Sequence, residues 1–296
     1  MSAPSKLHDD EPDVDEALVR GLLADQFPRW AALPLRPVGS DGTSNLLYRL
    51  GDELVVRLPR TRGAAADVPG EQRWLTRLAP ALPVAVPEPL GAGTPGRGYP
   101  WPWSVYRWLP GTVPTGERPR DPARLGRDIA DFVRALQRAD TTGAPAADRG
   151  APLAPRDADT RATLARLDGL LDAGAATALW QDALDAPAWR RPGVWLHADL
   201  EPGNVLVDPE TGGLTAVIDF GCTGVGDPAV DLIAAWYVLD DEGAAAFRAS
   251  VGHDAATWRR GRGWALTIAA HELAYYRGRN AFMADTAARV LGRLLG

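Results

Sequence analysis

Apolar positions recur at two different periods along the chain, and the change of period divides it. Leu18, Val19, Leu22 and Leu23 fall at helical spacing. They predict a helix starting near Asp13, with Glu16 three residues on as a capping-box partner. From Val38 to Leu58 the pattern becomes two short apolar runs around Gly51-Asp52, which predicts strand, turn, strand. Residues 61–70 are rich in Gly and Ala and read as a surface loop. Glu71–Ala79 reads as a short helix that buries Trp74, Leu75 and Leu78. Residues 80–103 are dense in Pro and Gly and predict two short strands around a turn at Gly93–Gly98. Ser104–Leu109 (SVYRWL) predicts one more strand, closed by Pro110-Gly111.

Beyond that point helical spacing dominates. Asp121-Pro122 has the form of an N-cap followed by Pro at the first helical position, and Leu125, Ile129, Phe132, Val133 and Leu136 follow at helical spacing. Residues 140–157 read as an irregular segment. Helices are expected at 160–172 and 174–185, then a β-rich island at 194–219. Asp227-Pro228 opens a further helix, and two long helices close the chain at about 255–277 and 280–295. The pattern predicts an α+β protein with a smaller first part (13–106), a boundary near 107–111 and a mostly helical second part (112–296), after a disordered tail at 1–12.

Composition narrows the function. The 296 residues are 46% hydrophobic and 24% charged, which excludes an intrinsically disordered chain. A net charge of -6 argues against binding nucleic acid through phosphate contacts. The single cysteine, Cys222, excludes a disulfide framework and a multi-cysteine zinc site. No apolar run approaches a membrane span, and the N-terminal stretch does not read as a secretory signal, so a soluble cytoplasmic protein is expected. Lysine occurs once, at Lys6; the other 31 of the 32 basic residues are arginine. Chemistry that commonly uses lysine must here use arginine or do without.

The candidate chemistry lies in residues 194–232, VWLHADLEPGNVLVDPETGGLTAVIDFGCTGVGDPAVDL. Val205–Val207 and Leu214–Ile218 read as a β-hairpin around the turn Asp208–Gly213. Asn204 then begins one strand and Asp219 ends the other, side by side at the open end and roughly 5–8 Å apart. An amide oxygen and a carboxylate so placed suit one hard cation such as Mg²⁺. Asp199, five residues before Asn204 on a loop with Pro202 and Gly203, can turn towards the same point and accept a proton from a hydroxyl nucleophile. Phosphoryl transfer requires such positioning and charge neutralisation.

His197, Asp199 and Asn204 in the spacing H-x-D-x-x-x-x-N, followed by Asp219-Phe220-Gly221, resemble the catalytic core of protein-kinase-like enzymes. The form LHADLEPGN, the later GDPAVDL, and GRGWAL and AYYR near the C-terminus resemble the aminoglycoside/macrolide phosphotransferase family. The resemblance runs from about Gly39 to the C-terminus. It implies a two-lobe protein-kinase-like fold with a small β-rich N-lobe, a mostly helical C-lobe and 107–111 as the inter-lobe hinge, and a nucleotide, ATP or GTP, between the lobes. It implies Asp199 as catalytic base and Asn204 and Asp219 as Mg²⁺ ligands, with His197 bracing the loop. Arg57, ending the strand LVVR, stands where the family has a nucleotide-binding lysine, with Glu71 as its partner. The loop GSDGTSN lacks the G-x-G-x-x-G pattern, but its N–H groups and Ser44 can still cover phosphates. The nucleotide base is expected on main-chain groups near Arg107 and Leu109.

The implied activity is O-phosphorylation of an aminoglycoside or macrolide antibiotic. A metabolite kinase acting on choline, a sugar or an amino-acid hydroxyl, and a nucleotide-binding pseudokinase, stand as alternatives. The remaining features have structural readings. Asp231 holds the catalytic-loop backbone, Asp227 caps a helix, and Cys222 is a small residue in a turn. The tryptophans are mostly core, and Asp240, Asp241 and Glu242 form a solvated helix terminus.

Overall fold

The computed structural model describes residues 6–7, 11–39, 42–114 and 119–296. The chain divides into two compact units. The first runs to Pro80 and includes Ala85–Pro110; the second takes Ala81–Val84 and Gly111–Gly296.

In the first unit, helix α1 (Glu16–Gln26) precedes strands β1 (Leu35–Pro37), β2 (Asn45–Leu50) and β3 (Leu54–Pro59), helix α2 (Arg62–Leu78), and strands β4 (Pro89–Gly93) and β5 (Trp103–Arg107). The strands form one antiparallel sheet in the order β1-β2-β3-β5-β4. Gly51, at φ +58°, makes the predicted turn between β2 and β3. Leu54, Val56 and Leu58 of β3 join Tyr48, Trp103 and Val105 in a core that Leu22 and Leu23 of α1 complete. Alternation therefore leaves Arg57 on the opposite face of β3 from that core.

Several boundaries differ from the sequence reading. Helix α1 starts at Glu16, because Asp15 rather than Asp13 accepts the N-cap hydrogen bond, from Leu18 N–H at 2.8 Å. Glu11, placed by sequence in a tail, is buried and pairs with Arg60 at 2.8 Å. Residues 61–70 are not a loop: they form the N-terminal half of α2, capped by Thr61. Gly63, Pro69 and Gly70 suggested a break. Ala65, Val68, Glu71, Leu75 and Leu78, buried at helical spacing, offset the hydrogen bond that Pro69 removes. Of the segment 80–103, β4 pairs with β5 rather than with a second strand of its own, and β5 ends at Arg107 rather than Leu109. Ser40 and Asp41 of the loop GSDGTSN lie outside the described residues.

In the second unit, α3 (Pro122–Gln137) opens with Asp121 as its cap, as expected. Helices α4 (Asp157–Arg166) and α5 (Ala173–Leu184) follow. Next come β6 (Val194–Leu196), β7 (Val205–Val207), β8 (Leu214–Val217) and β9 (Gly224–Gly226). β7 and β8 form the predicted hairpin, and β9, which sequence did not suggest, pairs with β6. Asp227-Pro228 opens a 3-10 turn, Pro228–Ile233, that leads into the short α6 (Ala234–Tyr237). Helices α7 (Asp241–Val251), α8 (Ala255–Tyr276) and α9 (Ala281–Leu295) complete the unit. Among the described residues no helix is long and apolar enough to cross a membrane.

Candidate active site

The sequence motif folds around the β7–β8 hairpin. Val205 pairs with Val217, and Ile218 N–H donates to Asn204 O at 2.9 Å. Asn204 and Asp219 therefore leave the same end of the hairpin, Asn204 at this last bond and Asp219 one residue beyond it. Asp219 takes a left-handed backbone, φ +62°, and its Oδ1 accepts from Gly221 N–H at 3.3 Å. A left-handed aspartate is held by such a local bond and is characteristic of functional turns. Phe220 is buried edge-on to His197 at 4.8 Å and faces Phe132 of α3 at 6.4 Å. The aromatic side chain pins the turn while Asp219 stays partly exposed.

The loop from His197 to Asn204 is fixed from behind. Asp231, fully buried, accepts from His197 N–H at 3.1 Å and from Ala198 N–H at 2.7 Å. These bonds hold Ala198 in its left-handed conformation, φ +65°. Burial pushes the Asp231 carboxyl up to about 7 against the opposing pull of its two N–H donors. His197 is also fully buried. Its Nε2 donates to Ile218 O at 3.0 Å and its Nδ1 accepts from Asp199 N–H at 3.3 Å. Burial pushes its pKa down, so the ring is a neutral brace between loop and hairpin. Asp227 caps the following turn and forms a buried ion pair with Arg260 at 2.6 Å, a further role that its sequence position did not reveal.

Asp199 and Asn204 meet directly. Asn204 Nδ2 donates to both Asp199 O and Asp199 Oδ2, each at 2.9 Å. An amide whose nitrogen is committed to two acceptors presents its oxygen elsewhere, and oxygen is what a hard cation takes. The donor set, one amide oxygen from Asn204 and the Asp219 carboxylate, suits Mg²⁺, which binds few protein ligands and keeps waters and substrate phosphates. Among the described residues no group of three or more His, Cys, Asp or Glu side chains forms a metal cage. A two-ligand magnesium site needs none.

Sequence reasoning missed the other partner of Asp199. Arg149, in the irregular segment after α3, bonds Asp199 Oδ1 and lies 4.0 Å from Glu201. Glu201 is buried beside Glu272 of α8, whose Oε2 accepts from Tyr237 at 2.8 Å. Burial pushes both glutamates up, and the charges of Glu272 and Asp199 push Glu201 further, well above the ordinary range. The adjacent acids hold Arg149 firmly charged. The only advance sign was an acidic residue, Glu201, in the catalytic-loop motif with no cation nearby in sequence.

In the first unit, Arg57 Nη1 contacts both oxygens of Glu71, at 2.5 and 2.6 Å. With the Asn45 amide oxygen turned towards the guanidinium, it accepts from Arg57 Nη2 at 2.9 Å and Nε at 3.0 Å. Glu71 is 3% exposed, not a surface glutamate, and Tyr106 donates to its Oε2 at 3.3 Å. Asn45, at the start of β2, was not singled out from sequence. Ser44 is exposed just before β2, and its carbonyl accepts from Arg60 N–H at 2.9 Å. Arg107 N–H donates to Glu88 O at 3.0 Å and its exposed side chain pairs with Glu88 at 2.6 Å, while Trp108 N–H donates to Glu53 O at 2.7 Å. The N–H groups of Arg107 and Trp108 are thus committed within the unit; Leu109 follows them just before Pro110.

A search of curated proteins returns no match. Among solved structures, the chain is similar to wild-type aminoglycoside 2'-phosphotransferase-IIIa bound to GDP, with a TM-score of 0.76 and 20% identity over 95% of this chain and 98% of that one. It is also similar to the macrolide 2'-phosphotransferase MphH from Brachybacterium faecium, with a TM-score of 0.60 and 24% identity over 92% and 97%. A type I macrolide 2'-phosphotransferase gives a TM-score of 0.63 and 20% identity over 100% and 99%. At these identities the likeness is one of fold, and that fold is the α+β, protein-kinase-like one that the sequence motif implied. The model of the phosphotransferase enzyme family matches residues 34–264, a span that holds Arg57, Glu71 and the whole 194–232 motif, and the chain belongs to that family.

Proposed function

We propose that this protein is a small-molecule kinase that transfers the γ-phosphoryl group of ATP or GTP to a hydroxyl of an aminoglycoside or macrolide antibiotic. The observation that carries the reading is the double hydrogen bond from Asn204 to Asp199 at the end of the β7–β8 hairpin. It ties the base to the amide that presents oxygen to a cation. Solved relatives in fold are described as complexes with GDP and kanamycin, with ADP, and with streptomycin and ATP. That supports both a nucleotide donor and an antibiotic acceptor.

Asp199 accepts the acceptor's hydroxyl proton as its oxygen attacks the γ-phosphorus. The new O–P bond forms as the bond from that phosphorus to the β–γ bridging oxygen breaks, and the nucleoside diphosphate leaves. Two hydrogen-bond donors on the Asp199 carboxylate leave lone pairs on each oxygen for the proton. Asn204 and Asp219 would hold Mg²⁺, which when bound neutralises phosphate charge in the transition state. Arg57, fixed by Glu71 and Asn45, offers a guanidinium to the donor's α/β-phosphates, while Ser44 contacts the phosphates and the Arg107 carbonyl and main-chain groups at Leu109 contact the base. A guanidinium differs from an ammonium in presenting planar, paired donors.

The test is transfer of radiolabelled γ-phosphate from ATP and from GTP, with Mg²⁺, to a panel of aminoglycosides, macrolides, choline, sugars and hydroxy amino acids. Label is expected on at least one antibiotic, and Asp199→Ala removes it without abolishing nucleotide binding. Label only on metabolites makes the protein a metabolite kinase. Nucleotide binding with no label on any acceptor makes it a binding module.

A further inference from the structure

The phosphotransfer reading leaves Arg149 and the two buried glutamates beside it unused. We propose that Arg149 is a positioning residue of the phosphotransfer site, holding the Asp199 carboxylate in one orientation from a segment locked to β9. The inference rests on Asp199 being the base.

Both oxygens of the Asp199 carboxylate are held, and by different elements. Arg149 bonds Oδ1 and Asn204 bonds Oδ2. One hydrogen bond leaves a carboxylate free to rotate about χ2; two donors on opposite oxygens fix its plane. Arg149 is fixed in turn. Its segment runs beside β9 and its continuation through three main-chain bonds: Val225 N–H to Pro145 O at 2.8 Å, Ala147 N–H to Val225 O at 3.0 Å, and Asp227 N–H to Gly150 O at 2.9 Å. Two glycines permit that approach. A Cβ on Gly224 would stand 2.7 Å from Ala147 N, and one on Gly226 would stand 2.6 Å from Gly150 O. Asp148, the preceding residue, is tied to Arg156 at 2.6 Å. Glu201 lies 4.0 Å from the same Arg149 Nη1, and behind it Glu272 accepts from Tyr237 at 2.8 Å. The Arg149 side chain is 30% exposed and that of Asp199 is 21% exposed, so the pair is backed by protein and still open to a bound molecule.

The experiment compares wild type, Arg149→Ala and Arg149→Lys in steady-state phosphotransfer, and adds a melting cycle of Arg149→Ala, Asp199→Ala and the double variant. Arg149→Ala is expected to lower kcat by about 10- to 100-fold, as a small misplacement of a reacting group does. KM values for nucleotide and acceptor stay within about twofold, because neither ground-state contact is removed. Arg149→Lys keeps the charge without the planar fork and falls between the two. Guanidinium added at non-denaturing concentration restores part of the Arg149→Ala rate. In the melting cycle the double variant loses less than the sum of the single losses, since the pair acts as a unit. Unchanged kcat, a loss confined to the acceptor KM, or additive melting losses would overturn the inference. If wild type phosphorylates no acceptor while the melting losses are non-additive, the pairing stands and the phosphotransfer reading has failed.

Discussion

Arg57 in the first unit and Arg149 in the second are each set against buried carboxylates, and they differ in how completely they are enclosed. Arg57 bridges β3 and α2 with a side chain 13% exposed against a Glu71 that is 2% exposed. Regular elements deliver both partners, with Asn45 accepting from Arg57 and Tyr106 donating to Glu71. Arg149 comes from an irregular segment, is 30% exposed, and faces Asp199, Glu201 and, through Glu201, Glu272. A closed pair owes its persistence to the cost of leaving either charge alone in a low-dielectric interior. An open pair keeps one side for a substrate. The first arrangement is suited to fixing a guanidinium between two elements, the second to holding a reacting group in place.

The largest expected effect falls on the open site. Asp199→Ala is expected to lower kcat by about 10²–10⁴-fold, the usual contribution of a positioned base, while the melting shift on adding Mg²⁺-nucleotide persists. A variant that keeps near-normal turnover would remove the base assignment. The closed site should respond in stability. Glu71→Ala strands the Arg57 guanidinium and is expected to cost about 3–5 kcal/mol in urea unfolding. The double change Arg57→Met with Glu71→Leu is expected to recover most of that loss, because apolar side chains of similar volume replace a buried pair with little net penalty. If the double variant is as unstable as Glu71→Ala, the pair is held by more than its mutual charge.

The same contrast decides what the sequence made legible. Arg57 and Glu71 sit at the end of a strand and on the following helix, so their meeting follows from local pattern even though half of α2 was read as loop. That half was hidden because Gly63, Pro69 and Gly70 are helix breakers by propensity, and only burial of Ala65 and Val68 outweighs them. The hairpin with Asn204 and Asp219 was legible because a six-residue turn between two short apolar runs fixes which ends meet. Asp231 was legible through the motif and does hold the loop backbone. Arg149 was not, because its place depends on a parallel bridge between Ala146 and Val225, a pairing across nearly eighty residues that carries no local signal. Glu272 lies on a helix whose buried face is wide, so periodicity could not single out one acidic residue there as a partner of the catalytic loop.

A smaller effect should separate the two sites by pH. Glu201 and Glu272 are pushed above the usual carboxylate range of about 4.5, both chiefly by burial and Glu201 also by the neighbouring Glu272. The folded state therefore binds more protons than the unfolded state once pH exceeds that range. Stability then falls as pH rises, until the raised folded-state values are passed. Glu201→Gln fixes the neutral form and is expected to flatten the decline in melting temperature as pH rises above the ordinary carboxylate range. At the alkaline end the variant should melt a few degrees higher than wild type, at ~2–4 °C per kcal/mol for a protein of this size. An unchanged slope would mean that the pair is ionised in the folded state and that Arg149 alone compensates it.

The smallest expected effect ignores the difference between the units and so calibrates it. Asp15 caps α1 and Asp121 caps α3 in the same way, each accepting from the N–H three residues on at 2.8 Å. Replacing either with Ala removes one bond to an otherwise unpaired helix N–H and should cost about 1 kcal/mol. Replacing either with Asn keeps the acceptor and loses only the charge near the helix terminus, so the cost should shrink to a few tenths of a kcal/mol. Thermal melting of the four variants checks both statements. Equal losses for Asp15→Ala and Asp121→Ala would show that a single hydrogen bond has the same worth in each unit, so that the disparity expected between Glu71 and Arg149 arises from enclosure. Unequal losses would instead place part of that disparity in the units' own stabilities, with the less tolerant unit responding more to any substitution made in it.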